Sequence, residues 1–206
     1  DETLLHINLS HIGAKDFNAF TSKRFGKWGF TNLASMHIHN PYDADEDGFS
    51  DIAQVSKFNF NPKLFYNPNK KTDLYFGATI SKENRKGGSM GKIRNENTLL
   101  PYFLDEQESS RITSQFSAQY KLDEVKTITL KNSISSFDRY INVDENILGT
   151  STTFGGNQLN SFTELNLNIN KKKQNINIGI NALEDKFKED KFISQPLRNQ
   201  EHQTLG

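Results

Sequence analysis

From Arg111 to Leu122 the sequence reads RITSQFSAQYKL, with Ile112, Phe116, Ala118, Tyr120 and Leu122 on one parity and Arg111, Thr113, Gln115, Ser117, Gln119 and Lys121 on the other. Successive side chains of a strand point to opposite faces, so a two-residue period this long predicts a β-strand with one apolar face and argues against a helix. The pattern recurs along the chain. Ile176, Ile178, Ile180 and Ala182 alternate with Asn177, Gly179 and Asn181, and Leu159, Leu165, Leu167 and Ile169 with Asn166, Asn168 and Asn170. Leu74, Phe76, Ala78 and Ile80 form another row, as do Trp28, Phe30, Ala34, Met36 and Ile38. Phe58, Phe60, Leu64 and Tyr66, and Ile128, Leu130 and Ile134, complete the set. These rows predict seven strands, and residues 4–11 and 16–25 add two more. No segment carries a helical period.

The second faces are built mainly from Asn, Ser, Thr, Gln and Gly. A solvated sheet face more often carries Lys, Glu and Arg, whereas uncharged polar groups suit a crowded, wet interior. The connections alternate too. After Phe25 a tight GK is followed by the long HNPYDADEDGFSD, the short NPNKK, and a long stretch from Glu83 to Ser109. Then come the short DEVK, the long VDENILGTSTTFGGNQ and the short NKKKQ. Outer-membrane barrels sort their connections this way, with tight turns on the periplasmic side and long loops outside. Five alternate apolar residues cover roughly 30 Å of strand, which at a tilt near 40° gives a band of roughly 23 Å, close to the ~25 Å apolar belt of such barrels. Phe25, Trp28, Phe65, Tyr66, Tyr75 and Tyr120 near short turns, and Phe137, Tyr140 and Phe187 near long loops, are read as interfacial girdles. The expected fold is therefore all-β, an antiparallel up-and-down transmembrane β-barrel wall. The alternative is a soluble β-sandwich whose apolar faces meet.

Composition trims the functional classes. The 25 Lys+Arg balance 25 Asp+Glu, so no global field favours nucleic acid. The absence of cysteine excludes disulfides, thiolate metal sites and a thiol nucleophile. No apolar run reaches the roughly 18 residues of a membrane helix, and residues 1–20 do not read as a signal peptide.

The segments KRFGKWGFTNLASMHIHNPYDADEDGFSDIAQVSKFNFNPKLFY, TDLYFGATISKENRKGGSM, LKNSISSFDRY and GINALEDKFKED resemble successive barrel strands of TonB-dependent outer-membrane receptors of the Bacteroidota type. The likeness spans roughly residues 16–190, with the DGF loop between two strands and the NRKGGSM that opens the next outer loop as its landmarks. It implies a barrel of about 22 strands with a plugged lumen. Within residues 1–206 no plug, TonB box or aromatic-ended closing strand is read, so the expectation is a segment of about eight to ten strands. The resemblance further implies a Gram-negative outer-membrane location with the long loops extracellular. Expected partners are membrane lipid, the remainder of the receptor, the TonB system through the plug, and a scarce nutrient such as an iron-siderophore or cobalamin-like compound.

Between two of these strands, Asp43, Asp45 and Asp47 occupy positions 1, 3 and 5 of an EF-hand-like loop, with Gly48 at 6, the Phe49 carbonyl at 7 and Asp51 at 9. Alternating hard oxygen donors point to Ca²⁺, although Gln54 stands at position 12 where a bidentate Glu is expected. The expected affinity is weak, on the order of 10⁻⁴ to 10⁻³ M, and an acidic loop without an ion is the plain alternative. His37 and His39, sharing the polar parity at a strand end, and Tyr102 and Phe103 in the next long loop, are expected to line a substrate mouth. Two imidazoles alone make a poor metal site. The lysines of NPNKK and NKKK read as hydrating short turns, and Gly87, Gly88 and Gly91 as a flexible hinge, no helix following to make a phosphate nest. No G-x-S-x-G turn or activated nucleophile is found, so no enzyme is expected. Three classes result: a nutrient receptor with a calcium-stabilised outer loop, a secreted calcium-binding sandwich that binds glycans or cells, and an outer-membrane phospholipase or protease.

Overall fold

Strands that alternate so regularly pair side by side, and in the computed structural model, which describes residues 1–96, 101–145, 150–191 and 198–206, they do so without a crossover. The elements are β1 (Glu2–Leu9), β2 (Ala14–Phe25), β3 (Trp28–His39), β4 (Gln54–Asn69), β5 (Thr72–Gly88), α1 (Met90–Ile93), β6 (Phe103–Lys121), β7 (Lys126–Glu145), β8 (Thr150–Lys171), β9 (Gln174–Lys191) and β10 (Asn199–Leu205). All ten strands form one antiparallel sheet in chain order. The strand from Asn199 to Leu205 was not expected, because its sequence, NQEHQTL, carries no apolar alternation.

Register puts each apolar row in line across the sheet. One row runs Phe25, Trp28, Tyr66, Leu74, Ala118, Leu130, Leu165, Ile180, and the next runs Phe30, Leu64, Phe76, Phe116. Where polar residues enter the second row they satisfy one another, Asn132 donating to Thr163 Oγ1 at 2.9 Å. No described residue covers this face. No side chain among the described residues is fully buried; Phe76 is 53%, Ile112 60% and Ile178 59% exposed. Among the described residues the buried hydrophobics, Ala53, Met90 and Ile93, lie in the 40–53 and 89–102 connections at the long-loop end. A sandwich needs a second sheet, and the described strands supply only one.

Three expectations need correction. The sheet is not closed into a barrel; its ten described strands match the eight to ten expected of a segment and are not the about 22 of the whole barrel that the resemblance implies. In a closed barrel of ten strands at the usual tilt, one circuit displaces the register by about ten residues. Here Glu2 stands in line with Thr204, and Ile7 with Asn199, so the eight residues of β1 and the seven of β10 occupy the same rows and cannot meet after such a shift. Second, strands continue through much of what reads as long loops: β5 reaches Gly88, β6 begins at Phe103, β7 reaches Glu145 and β8 begins at Thr150. Once both faces are polar the two-residue period has no contrast, although the backbone ladder goes on. Residues 97–100 and 146–149, also expected as loop, lie outside the described residues. Third, Phe65, Tyr75, Phe137 and Phe187 fall in rows with Gly29, Ser117, Arg111 and Gln158, on the polar face, while Phe25, Trp28, Tyr66, Tyr120 and Tyr140 fall on the other. The four on the polar face do not share the face of the apolar rows, since one residue of offset changes the face.

Connections divide by end. Gly26–Lys27, Lys70–Lys71, Leu122–Val125 and Lys172–Lys173 make the short turns at one end, and the 40–53 and 89–102 connections lie at the other. The β1–β2 turn, residues 10–13, also lies at that second end and is short. No helix among the described residues is long and apolar enough to cross a membrane, which says nothing of strands.

Candidate functional site

The acidic loop leaves β3 at His39 and returns to β4 at Gln54. An antiparallel bridge closes its neck: Tyr42 N donates to Ile52 O, and Ile52 N to Tyr42 O, each at 3.0 Å. Within the neck the aspartates fold the backbone around themselves. Gly48 N donates to Asp43 Oδ2 at 2.9 Å, Ala44 N to Asp51 Oδ2 at 2.7 Å, and Phe49 N to Asp47 Oδ1 at 2.8 Å. Gly48 has φ +89°, a left-handed conformation that glycine adopts without strain, which accounts for glycine at the sharp turn.

Asp43, Asp45 and Asp51 each bring a carboxylate oxygen within 4.8 Å of the other two. Asp43 Oδ1 is buried and has no hydrogen-bond partner. Three converging carboxylates, one of them with an orphaned buried oxygen, fit a divalent cation of the Ca²⁺ type, with coordination completed by water or backbone oxygens. Asp47 is not in this cluster. Its carboxylate caps the Phe49 amide instead, so of the five expected ligands three are brought together, while Asp47 and Phe49 stand outside the carboxylate group.

The loop is held down from the next hairpin. Ser50 N donates to Gly88 O, Gly88 N to Ser50 Oγ and Met90 N to Gly48 O, all at 2.9 Å, and Phe49 bridges Ser89. A Cβ on Gly88, at φ +114°, would lie 2.2 Å from Phe103 O, so only glycine lets the chain pass here. The expected hinge is thus a clasp. Its amides are committed to protein acceptors, Ser89 N to Phe103 O among them, and the four-residue α1 that does follow makes no phosphate nest. Sequence reasoning missed this clasp, and its signal was the GGS placed directly before Met90.

The expected mouth residues separate. His39 is buried, 5% exposed, with Nδ1 against Asn40 O and Nε2 without a partner, so it is not open to a solute. A strand-end position does not reveal this burial. His37 is half-exposed, its Nδ1 2.5 Å from Asp16 Oδ1. The hydrogen bond from His37, with a second from Asn8, holds the Asp16 carboxyl below its ordinary range. The two rings are 6.4 Å apart, and no metal-binding group among the described residues includes either. Tyr102 donates to Asp144 Oδ2 at 3.0 Å, which pushes its hydroxyl pKa up, and Lys92 Nζ lies 3.8 Å from its ring centroid. Phe103 is 37% exposed on the polar-face parity. Set against protein-family models, curated proteins and solved structures, the chain matches none of them.

Proposed function

We propose that this sheet is a stretch of outer-membrane barrel wall, continued by strands beyond the ten described, in a receptor that admits a scarce nutrient. The observation that carries the reading is the apolar band itself: rows of large side chains on one face, starting at the short turns and uncovered by any other part of the described chain. Hydrocarbon is the cover that such a face requires, and the opposite face of Asn, Ser, Thr and Gln suits a wet lumen. Two features further support it. β4 to β9 run 16 to 22 residues, longer than the roughly 9–11 needed to cross, and their extra length lies at the long-loop end, as in walls that project outside the membrane. At the short-turn edge Trp28 stacks on Tyr66, ring centroids 4.1 Å apart, at an interfacial aromatic level.

In this reading the long connections are extracellular, Asp43, Asp45 and Asp51 bind Ca²⁺, and the ion stiffens the clasp at the mouth. An iron-siderophore or cobalamin-like compound is the solute that the family resemblance suggests; plug and TonB system complete the transporter.

Trp28 is the sole tryptophan and therefore a clean reporter. In the chain reconstituted into vesicles, brominated acyl chains are expected to quench it more than aqueous iodide does. A chain that is monodisperse in plain buffer, melts cooperatively and shows Trp28 quenched by iodide would remove the membrane assignment.

A further inference from the structure

Above the apolar band, on the polar face, several acidic side chains are ion-paired. Asp16 meets His37, Glu83 meets Lys57 at 2.9 Å, and Glu189 meets Arg198 at 2.9 Å. Three guanidiniums are left over. Arg85 on β5, Arg111 on β6 and Arg139 on β7 have no carboxylate within ion-pair distance among the described residues. Register gathers them: Arg85 faces Gln107, Arg139 faces Ser109, and Arg111 lies two residues further along the same strand as Ser109. Together with Lys57, Glu83 and Phe137 they line one depression of about 310 Å³. This is near the low end of small-molecule site volumes.

Two of the three side chains are held in place. Arg111 lies over the Phe137 ring, its Cζ 4.4 Å from the centroid, and Arg139 donates through Nη2 to Gln107 Oε1 at 2.8 Å. Stacking and the amide contact fix each guanidinium plane yet leave other N–H groups unspent. Like charges on adjacent strands repel, and an oxyanion that takes paired N–H bonds from two of them relieves that repulsion.

We infer that Arg85, Arg111 and Arg139 form an oxyanion subsite, taking the phosphate, sulfate or carboxylate of a multiply charged small solute that enters from the long-loop end. This deepens the proposed function and rests on it for the statement that the polar face is a lumen. The alternative occupant is an acidic segment of protein.

The probe is inorganic pyrophosphate, titrated calorimetrically into the full chain in detergent micelles, in calcium-free buffer of low ionic strength. Saturable binding is expected, weakened about tenfold or more by Arg111→Gln with Arg139→Gln, since two charge-assisted contacts are lost. Lys63→Gln, on the same face but near the short turns, should leave it unchanged. Equal binding in all three proteins, or none in the unaltered chain, overturns the inference, as does binding of polyglutamate but not of pyrophosphate. Failure of the membrane reading is separable: loss of binding in the arginine variant alongside iodide-quenched Trp28 would keep the subsite and remove the lumen.

Discussion

Tyr75 lays its ring across Gly77 on the polar face and donates through its hydroxyl to Gln115 Oε1 at 2.7 Å, with the Phe65 ring centroid 5.4 Å away. A Cβ on Gly77 would stand 2.3 Å from that hydroxyl oxygen, so Gly77→Ala must push the ring aside and break the bond. A loss of about 1 kcal/mol is expected in denaturant unfolding of the reconstituted protein; an unchanged midpoint would show that the ring moves freely. A second residue-scale device is Glu189, 3% exposed, which accepts from Arg198 Nε at 3.1 Å and from Nη2 at 2.9 Å. The Arg198 side chain and then its backbone amide hold the Glu189 carboxyl below its ordinary value. A lowered acid pKa favours the ionised fold, so this contribution is whole above the usual glutamate range, about pH 4.3, and fades as pH falls through the lower folded value. Amide exchange at the β9–β10 pairing should therefore accelerate below about pH 4, and Glu189→Gln should abolish that step. If the variant keeps the step, another group is responsible.

Elements here are longer than their apolar signal. Within β7, Ile128, Leu130 and Ile134 mark the lower part, and from Ser136 onward both faces are mostly polar or charged, yet pairing with β8 continues to Glu145. This is why the seven strands of highest contrast were legible in the sequence and their upper halves were not. The acidic loop divides similarly. Its turn at Gly48 and its donor types could be read from spacing, but which carboxylates converge depends on the Tyr42–Ile52 neck and the Gly88 clasp. The geometry makes a discriminating test possible. Asp45→Ala should abolish calcium-dependent protection of the loop from protease, whereas Asp47→Ala, which loses only the cap on Phe49, should keep most of it. Equal loss in both would assign Asp47 to the ion as well.

At the scale of the molecule the sheet is divided along its strands into an apolar-banded part and a polar part, and β6 carries both. Phe116, in the row of Phe76, lies inside the band; Ser110, six residues along and of the same parity, lies beside Lys82 and Asp138 above it. A lysine near the bilayer midplane costs about 2–4 kcal/mol and close to nothing at the edge. In the proposed wall Phe116 lies two residues above the row of Trp28 and Tyr66, so Phe116→Lys should destabilise the vesicle-bound protein by part of the midplane cost, about 1–2 kcal/mol, and Ser110→Lys should be neutral; similar costs at both sites would mean that no hydrocarbon contacts this face. The sequence alone determined the apolar-banded parts of the strands and their two unlike faces, because both depend on alternation within one stretch of chain. Whether two apolar faces meet or one remains bare, which carboxylates reach a common point, and that three unpaired arginines come together were decided only by the tertiary structure. Those outcomes depend on the register between strands far apart in the chain, and a one-dimensional period carries no information about register.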